Sequence, residues 1–125
     1  MSDGKIKGYQ DLLVWKKGIF LVKEIYSLTK YFPSDEKFGL TSQMRRAAVS
    51  IPSNIAEGQA RRTTPDFIRF ISMAEGSLAE LHTQITISVE LEFCGKNKVT
   101  DLLAAVDELR RMINALCRTL LEKNV

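Results

Sequence analysis

Acids and arginines are the side chains here whose number and spacing could do chemistry. Glu57, Glu75, Glu80 and Glu90 fall in helix-forming stretches, where facing carboxylates could serve as general acid and base or as ligands of a metal pair. A helical di-metal site needs Glu-x-x-His pairs on facing helices. His82 is the single histidine, and Ala79 stands three residues before it, so that pattern is absent. Phosphate-cradling glycine loops and a Gly-x-Ser-x-Gly nucleophile turn are absent too. Glu57 instead continues a polar stripe with Gln43, Arg46, Ser50 and Asn54 at helical spacing. A stripe of that kind fixes helix register or subunit pairing through hydrogen bonds. A non-enzymatic protein is therefore expected, with no catalytic, cofactor-binding or metal-binding residues and no cofactor.

The basic residues point to a polyanion only under a condition. Eighteen Lys and Arg face fifteen Asp and Glu, a formal charge of +3. Lys16-Lys17, Arg45-Arg46, Arg61-Arg62 and Arg110-Arg111 are neighbours in sequence, but adjacent helical residues diverge by about 100°. In a monomer this reads as a solvated surface; a ring of copies would bring equivalent arginines together. Arg61, Arg62 and Arg69 are then the first candidates for contacts to RNA or DNA phosphates, followed by Arg45 and Arg46. No aromatic platform is interleaved with them, so binding would follow the backbone rather than the bases. Cys94 and Cys117 are too few and too far apart for a zinc site or redox pair.

Four amphipathic helices would carry these groups. Residues 1–8 read as a flexible tail, and residues 9–125 as one domain. Helix one is expected from Tyr9 to Tyr31, with a seam of Leu12, Trp15, Ile19, Val22 and Tyr26. Helix two starts near Leu40, capped by Thr41 or Ser42, and buries Met44, Ala47, Ile51 and Ile55. Pro52 within it predicts a kink or local break, whose freed carbonyls Ser50, Ser53 and Asn54 could bond; Gly58 could end it with a positive φ. Helix three opens on Thr64 as cap and reaches about Phe93; Phe67, Ile71, Ala74, Leu78, Leu81 and Ile85 form its seam. Gly95 is the expected stop before helix four, Val99 to Glu122, whose apolar steps of three and four never miss. Short connections favour an antiparallel up-down-up-down four-helix bundle with a kinked second helix. Phe20, Ile68, Phe70 and Ile87 fall outside what one bundle core needs, which predicts a homo-oligomer interface. No apolar run is long enough to span a bilayer and no signal peptide opens the chain, so a cytosolic location is expected.

Two stretches carry a family resemblance. Arg46-Ala47-Ala48-Val49-Ser50-Ile51-Pro52-Ser53-Asn54-Ile55-Ala56-Glu57-Gly58 resembles the signature of the 23S rRNA intervening-sequence proteins. Ala74-Glu75-Gly76-Ser77-Leu78-Ala79-Glu80-Leu81 is similar to that family's second motif, and the likeness runs from Trp15 to Leu121. The resemblance implies a four-helix bundle in which Ser50, Pro52, Asn54, Glu57, Gly58, Gly76, Ser77 and Glu80 form a structural motif. Members occur as reading frames inside insertions of large-subunit rRNA genes. A related branch, the accessory protein of diversity-generating retroelements, forms a basic pentamer that binds nucleic acid and a reverse transcriptase. A pentamer that binds RNA or DNA as an adaptor is what this implies here, with a protein–protein scaffold as the alternative. Glu75 departs from the pattern, since the family commonly has a basic residue there.

Overall fold

The computed structural model describes residues 8, 9 and 12–123; of the tail expected over residues 1–8, Gly8 alone falls within it. The elements are α1 (Leu13–Thr29), a 3-10 turn (Ser34–Glu36), α2 (Leu40–Gln59), α3 (Thr64–Glu90) and α4 (Lys96–Lys123). The protein is an all-α bundle of four helices, with no strand among the described residues. One buried cluster takes Leu21 and Ile25 from α1, Met44, Ile51 and Ile55 from α2, Ile71, Leu78, Leu81 and Ile85 from α3, and Val99, Leu109 and Ile113 from α4. The seams expected for α2, α3 and α4 are the buried ones, apart from half-buried members at their ends.

The inward face of α1 differs from the expected seam. It consists of Val14, Gly18, Leu21, Ile25 and Thr29, while Ile19 and Tyr26 face solvent. Gly18 explains the rotation. A Cβ there would stand 3.3 Å from the ring of Pro52, so α1 and α2 approach closely at the one α1 position without a side chain. Thr29 tolerates burial because its hydroxyl donates to the Ile25 carbonyl at 2.7 Å.

Pro52 does not interrupt α2, which runs unbroken from Leu40 to Gln59. Asn54 Nδ2 donates to Ser50 O at 2.8 Å and Ser50 Oγ to Ala47 O at 2.7 Å. These bonds fall on carbonyls flanking Ala48, the residue whose carbonyl the proline leaves without its usual donor. Gly58 does not end the helix either, because α2 continues past it. A Cβ on Gly58 would meet Phe70 Cβ at 2.7 Å, so its role is to let α3 lie against α2. Partners on α3 run in reverse order as α2 is followed forward: Met44 with Ser88, Ser50 with Ser77, and Gly58 beside Phe67 and Phe70.

The helix ends also differ from expectation. Gly39 is the N-cap of α2, and Glu36 Oε1 accepts from Leu40 N at 3.0 Å in place of a Thr41 or Ser42 cap. Thr63, one residue before the expected cap, accepts from Asp66 N at 3.3 Å and places Pro65 in the first turn of α3. At the far end α3 stops through Glu92, which takes φ 64°, rather than through Gly95. α4 begins three residues earlier than its apolar pattern does, at Lys96.

Candidate functional site

Where α2 passes into α3, the close approach at Gly58 brings Phe70 under the turn. Phe70 is 6% exposed, so it is part of this chain's own core and not a surface for a second copy. The guanidinium groups of Arg61 and Arg69 stand 4.7 and 4.9 Å from the centroid of its ring. A cation over an aromatic face gains from the ring quadrupole, which here brings together one arginine from the α2–α3 turn and one from α3. Each has an acid nearby at long range: Arg61 to Glu57 at 3.6 Å and Arg69 to Asp66 at 3.9 Å. Arg62 is exposed and makes no ion pair among the described residues. Three cations against two carboxylates leave this end of the bundle positive. The amino end of α3, where unpaired backbone N–H groups carry partial positive charge, lies at the same turn.

The motif residues assemble differently from a single polar stripe. Ser50 Oγ and Ser77 Oγ are 2.6 Å apart across the α2–α3 seam. Since Ser50 spends its one proton on Ala47 O, Ser77 supplies the proton between the hydroxyls. Arg46 and Glu80 line the cleft above this pair together with Gln43. Glu57 takes no part and faces Arg61 instead. Gly76 does not admit a neighbouring helix within the chain, because a Cβ there would meet nothing within 4 Å. Among the described residues the hydrogen bonds of Ser50 run to Ala47 O and to Ser77, and the pair ties α2 to α3. Among the described residues no three His, Cys, Asp or Glu side chains gather in a way that could hold a metal ion.

Arg45 and Arg46 are not brought to Arg61, Arg62 and Arg69. Arg45 stands fourteen residues before Gln59, the end of α2, roughly 21 Å along the axis at 1.5 Å each, and Arg61 lies beyond that end. Arg45 is tied to α1: Nε donates to Thr29 Oγ1 at 2.9 Å, Nη2 to Tyr26 O at 3.4 Å, and its guanidinium lies 4.4 Å from the Tyr26 ring centroid. It shares a groove with Arg46, Lys37, Tyr26 and Phe38. The last three escaped the sequence reading, Tyr26 because it passed for seam and Lys37 and Phe38 because they looked like loop punctuation. Arg110 and Arg111 converge on one carboxylate, Asp107, which offsets one of their two charges. Hydrogen bonding from Arg110 holds the Asp107 carboxyl below its ordinary range, and Lys17 does the same for Glu108. Of the other interface candidates, Phe20 is 52% and Ile87 40% exposed, and Ile68 is half-buried.

No helix among the described residues is long and apolar enough to cross a membrane. No curated protein matches the chain. A family model does, that of the 23S rRNA-intervening sequence protein, over residues 10–115. Both serines of the cross-helix pair, the Gly58 contact and the arginines around Phe70 fall inside the matched span, and the chain belongs to this family.

Proposed function

We propose that this protein works without catalysis, as a self-associating helical bundle in the cytosol that holds nucleic acid by its phosphate backbone at the α2–α3 turn. The observation that carries the reading is the seating of Arg61 and Arg69 on one ring, with Arg62 unpaired beside them. The ring favours the guanidinium groups at this place by about 0.5–1 kcal/mol each at an exposed site. The acids are too distant and too exposed to hold them strongly, since surface pairs contribute about 0–1 kcal/mol. A phosphate offers shorter, charge-assisted and bidentate bonds, and can displace both carboxylates. One protomer presents few contacts, so affinity depends on repeating the cluster around an assembly. The family's link to an insertion in rRNA agrees with a nucleic-acid setting.

Anisotropy titrations of a labelled structured RNA and a DNA duplex at several salt concentrations test this. Binding should fall linearly in a log–log plot against salt. Arg61→Ala with Arg62→Ala should weaken it and flatten the slope by about 1–2, as each lost phosphate contact removes 0.7–0.9. No binding at low salt, from a folded and associated sample, would overturn the reading. A second reading, a protein scaffold, is favoured by the exposed apolar residues Leu13 and Phe20 on α1 and Tyr31 just past its end. That outcome would leave it in place.

A further inference from the structure

The groove between the carboxyl half of α1 and the amino half of α2, about 680 Å³ in volume, is lined by Tyr26, Phe38 and Val49 on its apolar side and by Lys37, Arg45 and Arg46 on its basic side. No Asp or Glu lines it. Lys17, Arg61, Arg69, Arg110 and Arg111 each lie within ion-pair reach of an acid, and these are fewer than half of the described basic residues. None of the three cations of the groove has an ion pair among the described residues. Arg45 is positioned by neutral acceptors, the Thr29 hydroxyl and the Tyr26 carbonyl, so it is fixed without being neutralised. The Lys37 ammonium stands 5.5 Å from the Phe38 ring centroid.

Phe38 is 89% exposed, yet its mount is not loose. Gly39 N donates to Glu36 O at 3.0 Å, and the Glu36 carboxylate caps α2 at Leu40 N, so the ring stands on a fastened turn. An aromatic ring raised beside cations that form no ion pair among the described residues offers a face rather than a hole. An apolar side chain of a protein partner needs a walled pocket, whereas an unpaired base needs a flat ring to stack on and a cation for its phosphate. A duplex conceals its base faces and cannot use such a ring.

We propose that this groove is a second nucleic-acid subsite, selective for unpaired nucleotides, with Phe38 receiving a base while Lys37, Arg45 and Arg46 receive phosphates. It rests on the backbone-binding reading above but uses a separate surface, so the two can fail separately.

The test uses the full chain, a fluorescein-labelled oligothymidylate and a blunt duplex of equal length. Phe38→Ala, chosen because the ring buries little, and Arg46→Ala are compared with the Arg61→Ala, Arg62→Ala double variant, with folding followed by circular dichroism. Phe38→Ala should weaken the single strand about five-fold or more and leave the duplex within two-fold, in line with the loss of one stacked base. Arg46→Ala should likewise act mainly on the single strand, and the double variant should weaken both probes. If Phe38→Ala and Arg46→Ala leave the single strand unchanged while the double variant weakens both, the groove proposal is wrong and the α2–α3 site stands. If wild type binds neither probe, both readings fail. If the groove variants spare both nucleic acids but abolish capture of a labelled Glu/Leu-rich peptide, the groove is a protein dock and the proposal is overturned.

Discussion

Glu92 ends α3 in a conformation that L-residues rarely adopt, with φ 64°. Phe93 N donates to Ser88 O and Glu92 N to Val89 O, both at 2.9 Å, which is the paired bonding of a glycine-type helix stop. A Cβ in the left-handed region costs about 1–2 kcal/mol, and Glu92 is exposed with no ion pair among the described residues to offset it. Glu92→Gly should therefore raise unfolding stability by about 1 kcal/mol in urea denaturation. A loss would mean that the glutamate side chain supplies a contact that outweighs the strain. The sequence points to Gly95 for this stop, three residues late. Glycine positions were legible and their purposes were not: Gly58 looked like a terminator and is a packing contact, while Gly76 looked like a packing contact and faces open space. What a glycine is for depends on what lies opposite it, and only tertiary structure shows that.

At the scale of elements, periodicity located the buried faces of α2, α3 and α4 because each alternates large aliphatic residues with charge. It misplaced α1, which is apolar nearly all round near residue 20 and turns a glycine and a threonine inward. No hydropathy argument ranks Gly18 or Thr29 above Ile19 or Tyr26 as core. The same misplacement hid the groove, since Tyr26 cannot line a surface while it is counted as seam. α1 is tied to α4 at its polar edge by Lys17 Nζ to Glu108 Oε1 at 2.7 Å. The hydrogen bond from Lys17, then its charge, hold the Glu108 carboxyl below its ordinary range. A carboxyl lowered in the folded state contributes stability that is complete above its unfolded value, near 4.3, and drains away as pH falls through the folded value. The urea midpoint of Glu108→Gln should thus lie below wild type at pH 7, and the gap should close on acidification to about pH 3. An equal gap at both pH values would show that the glutamine disturbs packing rather than removing a charge pair.

At the scale of the molecule, the exposed apolar residues form lines rather than scatter. Leu13 and Phe20, seven residues apart, return to the same side of α1 within about 20°, and Tyr31 is exposed just past its end. Met73, Ile87 and Leu91 fall within about 40° of one another on α3, on the side where Gly76 leaves room. A chain that buries its core this fully gains nothing by displaying such lines unless something covers them. If copies of the chain do so, the mass by light scattering should be a multiple of 14.1 kDa, and Phe20→Asp should lower it while the helical signal is unchanged. Phe20 is the sharpest probe because about half of its surface is free and it lies outside the buried core cluster. The same variant also connects assembly to binding. A protomer offers only a few cations at the Phe70 cluster and in the α1–α2 groove, so loss of assembly should weaken nucleic-acid binding and reduce its salt slope although no arginine has been changed. A dissociated Phe20→Asp protein that binds with undiminished slope would show that one protomer is sufficient. A wild-type mass of 14.1 kDa would remove self-association from the explanation and leave the apolar lines to a different protein.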